Sequence, residues 1–146
     1  MIIKELSALS NPQLEDVFAL MKELTDEVVV TPEMLLECVR AAGSHFFAVV
    51  DDSEHIVGCA TLCVYDSPTG KKASVEDVVV SSARRGQGLG RLLMEHVIDY
   101  ARRELGDVDI HLTSRPHRVQ ANELYQHLGF EKRDTNAYVL KLREVK

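Results

Sequence analysis

The stretch "VEDVVVSSARRGQGLGRLL", residues 75–93, sets a β-branched run, glycines at alternate positions and a leucine-rich segment in immediate succession. The spacing predicts a strand that ends in a glycine loop, then a helix that begins near Leu89. Glycines at alternate positions let main-chain N–H groups converge on one anion with no side chain in the way. The helix behind them adds its own unpaired N–H groups and the positive end of its dipole, so the arrangement favours a phosphate or pyrophosphate. Arg84, Arg85 and Arg91 flank the loop, and no acid interrupts them between Asp77 and Glu95, which adds positive charge at the same place.

Two familiar phosphate loops fail on spacing. A nucleotide-triphosphate loop needs Lys and Ser or Thr after its last glycine, and Gly90 is followed by Arg91-Leu92. A dinucleotide fingerprint needs a third glycine where Gly88-x-Gly90 leads to Leu93 and Gly86-x-Gly88 leads to Arg91.

Upstream, "IIKEL" can start a strand, and Asn11-Pro12 supplies a helix cap followed by a proline at the first helical position. Leu14, Val17, Phe18, Met21 and Leu24 then recur at helical spacing. Thr31-Pro32 repeats the start signal for a shorter helix that ends before Gly43. "HFFAVV", "HIVGCATLCVY" and "ASVEDVVV", separated by "DDSE" and "DSPTGKK", predict three consecutive antiparallel strands. Downstream, Leu92, Leu93, Val97, Ile98, Ala101 and Leu105 keep helical spacing up to Gly106. "VDIHL" is a short strand, "RPHRVQANELYQHLGF" a loop and helix capped by Gly129, and "FEKR" with "AYVLKL" a closing hairpin. The order β-α-α-β-β-β-α-β-α-β-β implies an α+β architecture around a mixed sheet, with residues 1–146 as a single domain.

Composition excludes several classes. Of 146 residues, 45% are hydrophobic and 27% charged, which is ordinary for a globular chain and unlike a disordered one. The net charge of −6 argues against nucleic acid as a partner. The longest mostly apolar run, "IVGCATLCV", is far shorter than the roughly 20 residues that span a bilayer, so no membrane partner is expected. The first residues lack a basic segment followed by an apolar block, which points to the cytoplasm. Cys38, Cys59 and Cys63 form no Cys-x-x-Cys pair and read as free thiols, with Cys59 and Cys63 on one strand face as small apolar fillers. The six histidines show no metal-ligand spacing, so no metal is expected; His111 and His117 are the two to test as bases.

The hexapeptide Arg85-Gly86-Gln87-Gly88-Leu89-Gly90 resembles the Arg/Gln-x-x-Gly-x-Gly/Ala signature of the GNAT superfamily of N-acetyltransferases, and the element order resembles that fold along nearly the whole chain. The resemblance implies a mixed sheet of about seven strands with helices on both faces. It implies acetyl-CoA as co-substrate and no metal, with the pyrophosphate held by Arg85, Gly86, Gln87, Gly88, Leu89, Gly90 and Arg91. It also implies that the strand before the loop splays from its parallel neighbour, so that the backbone of Val78, Val79 and Val80 pairs with the pantetheine arm.

A second match lies in "ANELYQHLGF", similar to the family's Asn-x-x-Tyr-x-x-x-Gly-Phe segment. By that resemblance Asn122 would bond near the pantetheine or thioester, and Tyr125 would protonate the departing thiolate, as a phenol can at neutral pH. A half-buried core aromatic would be the plainer reading of Tyr125 without the Gly129-Phe130 context; with it the catalytic role leads. An alkylammonium with a pKa near ~10 must lose a proton before attack. Glu76, on the strand where several GNAT enzymes carry a glutamate, is the candidate base, while Asp77 is expected on the opposite face. A substrate-orienting or merely solvated carboxylate is the alternative. Arg115, His117 and Arg118 could meet nucleotide phosphates or cap the last helix.

The resemblance implies transfer of an acetyl group to a primary amine, on a small molecule or peptide, by direct attack in a ternary complex. "LTDEVVVTPE" together with residues 75–93 is similar to glucosamine-6-phosphate N-acetyltransferases. "DSPTGKK" is shorter than the basic segment those enzymes carry, and only Lys71 and Lys72 could partly replace it. A non-catalytic acyl-CoA-binding or partner-binding module is the alternative of another class. The family's frequent pairing through C-terminal strands implies a possible homodimer.

Overall fold

In the computed structural model, residues 1–143 are described. The backbone groups into two compact units, Met1–Thr113 and Ser114–Lys146. The first contains β1 (Ile2–Glu5), α1 (Asn11–Leu24), α2 (Pro32–Arg40), β2 (Ser44–Val50), β3 (Ile56–Ser67), β4 (Gly70–Val80), a single 3-10 turn (Ser82–Arg84), α3 (Leu89–Glu104) and β5 (Ile110–His111). The second contains α4 (Val119–His127).

The helix starts follow from capping chemistry. Ser10, one residue earlier than the sequence suggests, is the α1 cap: its hydroxyl accepts from Gln13 N–H, while the Gln13 side chain accepts from Ser10 N–H. This reciprocal pair satisfies two orphan donors and places Pro12 inside the first turn, where its missing N–H costs nothing. Thr31 caps α2 in the expected way, accepting from Met34 N–H at 3.2 Å. Substituting such a cap by alanine costs about 0.5–2 kcal/mol.

The strands run in the order β1-β2-β3-β4-β5, and every pair is antiparallel except β4 with β5. The mixed sheet therefore arises as the sequence predicts: a hairpin series, then a helical crossover that returns the chain parallel. One face packs Phe46, Ala48, Val50, Cys59 and Val79 against Val17, Leu20 and Met21 of α1 and Leu35 and Val39 of α2. The other receives α3: the Phe47 ring, of opposite parity to Phe46, meets His96 and Tyr100 edge-on at 5.5 and 5.1 Å. Leu93, Met94 and Val97 are fully buried there. Burying a leucine of this kind contributes roughly 1.5–3 kcal/mol.

The expected seven strands are five among the described residues. "FEKR" and "AYVLKL" form no ladder. The Phe130 N–H is already committed, donating to Tyr125 C=O at 3.0 Å while Gly129 N–H donates to Gln126 C=O at 3.1 Å. With Gly129 left-handed at φ 101° and the Phe130 ring edge-on to Tyr125 at 6.0 Å, these bonds close α4 in a Schellman motif. Beyond it Tyr138, Val139, Leu140 and Leu142 are 80–90% exposed. Strand composition does not by itself make a strand where no ladder partner is present.

Candidate active site

β3 and β4 form a long hairpin closed by Pro68-Thr69, with Ser67 opposite Gly70. Part of "DSPTGKK" is therefore strand, and Lys71 meets Asp66 across the ladder at 3.8 Å while Lys72 donates to Thr69 at 2.7 Å. On its other edge β4 meets β5 through Ala73 opposite Ile110 and Ser74 opposite His111. β4 then runs on to Val80, past the end of that parallel ladder. His111 is thus at the paired end of β4, away from the loop.

The register carries a bulge. Glu76 lies opposite Thr61 and Val79 opposite Cys59, so β4 has one residue more than β3 in this interval. Asp77 absorbs it at φ 53°, in the left-handed region that Asp tolerates better than most residues. The bulge interrupts the alternation from which Asp77 was expected on the opposite face from Glu76; the charges of both carboxylates raise the Cys63 thiol, and that of Asp77 also raises Cys38 and Cys59. Glu76 is exposed and accepts from the Ser74 hydroxyl at 3.1 Å. An exposed carboxylate with one neutral donor has acceptor capacity left for a cationic group.

Burial is the first cause that raises all three thiols, and Cys59 is pushed up to about 12. They are protonated at neutral pH, as suits packing residues and not nucleophiles.

After Val80 the chain turns through four anchored amides. Ser81 N–H donates to Val57 C=O at 2.8 Å, Ser82 N–H to the Glu23 carboxylate at 3.0 Å, Ala83 N–H to the Ser81 hydroxyl at 3.4 Å, and Arg84 N–H to Ser81 C=O at 2.9 Å. The loop then passes through Gly86 at φ 81° and Gly88 at φ 73°. No atom lies within 4 Å of where a Cβ at either would stand, so the space beside both is open to a ligand. Gly88 caps α3 without a side-chain bond, and the first turn of α3 holds no acid. The first helical bond is Leu92 N–H to Gly88 C=O, which leaves the leading N–H groups of α3 without an intrahelical acceptor.

The three arginines are not an isolated cationic patch. Arg84 reaches Asp51 at 3.4 Å, Arg91 pairs with Glu95 at 2.9 Å, and Arg85 lies where its charge acts on Glu23. The Arg91 pair was legible as an i,i+4 spacing; the other two acids are remote in sequence and had no local signal. Asp51 is held below the usual carboxylate range, chiefly by His55 N–H, then by Ser53 N–H, His55 and Arg84.

In the second unit, Arg115 C=O accepts both Arg118 N–H at 3.1 Å and the Asn122 side-chain amide at 3.0 Å. Arg118 is the α4 cap position by backbone alone. Tyr125 is 5% exposed, and burial pushes its phenol up against a smaller opposing effect of Arg118. The phenol is therefore protonated at neutral pH and able to donate. Among the described residues no helix is long and apolar enough to cross a membrane.

The sequence model of the acetyltransferase (GNAT) family matches residues 11–130. The chain belongs to the GNAT family. It is 33% identical over 110 residues to human N-acetyltransferase 8B, covering 74% of this chain and 46% of that protein. It is 32% identical over 89 residues to streptothricin acetyltransferase of Streptomyces lavendulae, covering 61% of this chain and 46% of that one. The chain spans about half the length of these curated relatives. Among solved structures, glucosamine-6-phosphate N-acetyltransferase from Arabidopsis thaliana superposes with a TM-score of 0.73 at 20% identity, covering 95% of this chain and 97% of that one. At that identity the likeness shows the GNAT fold alone.

Proposed function

We propose that this GNAT chain is an N-acetyltransferase that moves the acetyl group of acetyl-CoA to a primary amine by direct attack, with residues 1–146 as one catalytic domain in the cytoplasm. The observation that carries the reading is the run from β4 to α3: a strand that outlasts its parallel neighbour, two left-handed glycines beside open space, and a helix start with no side-chain cap bond and no acid. These features fit a ligand with an extended amide-bearing arm and a pyrophosphate, which acetyl-CoA combines with an activated acyl thioester.

In this reading the main chain of Val78, Val79 and Val80 bonds the pantetheine arm. The N–H groups of Gly86, Gln87, Gly88, Leu89, Gly90 and Arg91 hold the pyrophosphate, with Arg85 adding charge. Glu76, exposed on β4, takes the proton that the ammonium must lose before its nitrogen attacks the carbonyl carbon. Tyr125 gives its phenolic proton to the sulfur as the carbon–sulfur bond breaks, and the second proton shed by the nitrogen on forming the amide restores the phenol, whose raised pKa keeps it protonated between turnovers. Asn122 retains an amide oxygen and a second N–H for the ligand while its first N–H holds Arg115 C=O.

The acceptor is a primary amine on a small molecule or peptide. An amino-sugar phosphate gains no support from Lys71 and Lys72, since both already have partners within the β3–β4 hairpin. The exposed Tyr138, Val139, Leu140 and Leu142 support a homodimer, because an exposed apolar segment of strand-forming composition invites pairing with another chain; sedimentation showing only monomer at micromolar concentration would remove it.

A screen of amino sugars, amino acids, polyamines and peptides with acetyl-CoA and free-thiol detection tests the reaction. Thiol release that depends on one amine class is expected. Silence across all four, with CoA still bound, would favour a non-catalytic acyl-CoA-binding module.

A further inference from the structure

The anchored turn before the loop assigns a task to a residue outside every familiar motif. Of the four amides that precede Arg85, three are held by their own segment or by the neighbouring strand β3. Ser82 alone is held by a side chain of another layer, Glu23 on the last turn of α1, at 3.0 Å. The charge of Arg85, the first residue of the loop, also acts on this carboxylate. We infer that Glu23 is a positioning residue for the pyrophosphate loop: by gripping Ser82 it fixes the direction in which the chain leaves β4, and with it the orientation of the N–H groups from Gly86 onward.

This inference rests on the acetyl-CoA reading of the loop. Glu23 does not touch the bound ligand; it acts through Ser82 and Arg85. Its carboxyl is held below the usual range by the Ser82 hydroxyl first, then by Ser82 N–H and Arg85, so it is ionised at neutral pH and available as an acceptor. The side chain is exposed, and no core contact depends on it. Sequence periodicity gives no hint of this, because Glu23 falls on the solvent side of the α1 apolar stripe.

A second tie makes the grip consistent. Arg84, two residues on, reaches Asp51 in the β2–β3 turn, and that turn is bound to α1 through His55 with Asp16 at 3.0 Å and Gln13 with Glu54 C=O at 3.1 Å. The start of the loop is thus referred at two points to α1, whose own position is set by Val17, Leu20 and Met21 in the core.

The test compares CoA with pantetheine, which lacks the pyrophosphate, by isothermal titration on the full chain. Glu23→Ala should weaken CoA about fivefold, the scale of one charged hydrogen bond at a partly exposed site, and leave pantetheine unchanged. Glu23→Gln, whose amide oxygen still accepts from Ser82, should recover most of the CoA affinity. The thermal midpoint should stay close to wild type in both. Glu23→Ala binding CoA as wild type does, equal losses for CoA and pantetheine, or Glu23→Gln as weak as Glu23→Ala would each overturn the inference. A wild-type protein that binds no CoA would overturn the cofactor reading itself, so the two failures are distinct.

Discussion

Residues 75–80, "VEDVVV", and residues 137–142, "AYVLKL", have the same kind of composition, and the protein treats them differently. The first lies in β4, paired along β3, with Val75 and Val79 buried. The second forms no ladder and exposes its apolar side chains almost completely. The contrast lies in the partner. β4 is joined to β3 by a tight turn, so its ladder closes locally, whereas among the described residues nothing adjacent in sequence pairs with residues 137–142. Composition alone does not make a strand; topology decides whether a segment joins a sheet.

Truncating core and arm leucines tests that contrast most severely. Leu93→Ala removes a fully buried side chain behind the loop and should cost about 2–5 kcal/mol in urea unfolding, while Leu140→Ala should stay within roughly 0.5 kcal/mol at dilute concentration. Equal costs would mean that the arm is packed in solution.

Gly88→Glu asks whether the loop is a ligand site or only a turn. It forces a left-handed residue to carry a side chain and sets a carboxylate at the proposed pyrophosphate position, so CoA affinity should fall by on the order of 100-fold in calorimetry. Wild-type affinity would reduce the loop to a turn. Tyr125→Phe should lower turnover at least about tenfold and spare CoA affinity, since only the phenolic proton is lost. Unchanged turnover would leave Tyr125 as a packing residue against Phe130.

The smallest effect concerns the polar ties of the β2–β3 turn. His55 has its pKa raised from 6.5, first by its hydrogen bond to Asp16 and then by that carboxylate's charge. A raised folded-state pKa stabilises fully below the unfolded value and ceases to do so as pH rises through the folded one. The gap in thermal midpoint between wild type and His55→Gln should therefore be widest below pH 6.5 and close on going alkaline. A constant gap would assign His55 a charge-independent role.

Much of the first unit was legible because its signals are local. Pro12, Thr31, Gly106 and the leucine spacing after Leu89 mark helix ends and faces, and the three consecutive strands need only short turns. The glycine loop was legible for the same reason. What escaped the sequence is tertiary: the Asp77 bulge depends on the β3 register, the ties of Arg84 and Arg85 depend on acids far away in the chain, and "FEKR" and "AYVLKL" find no ladder partner among the described residues. Ser10 was legible in principle, since Ser-x-x-Gln is a capping box, but Asn11-Pro12 offered a competing reading one residue later.

Hydrogen exchange of the wild-type protein with and without CoA tests the central claim most directly. The account predicts slowed exchange at the amides of Val78, Val79 and Val80 and from Gly86 to Arg91, with residues 137–142 unaffected. Protection that falls elsewhere, or no change in either loop or strand, would contradict it.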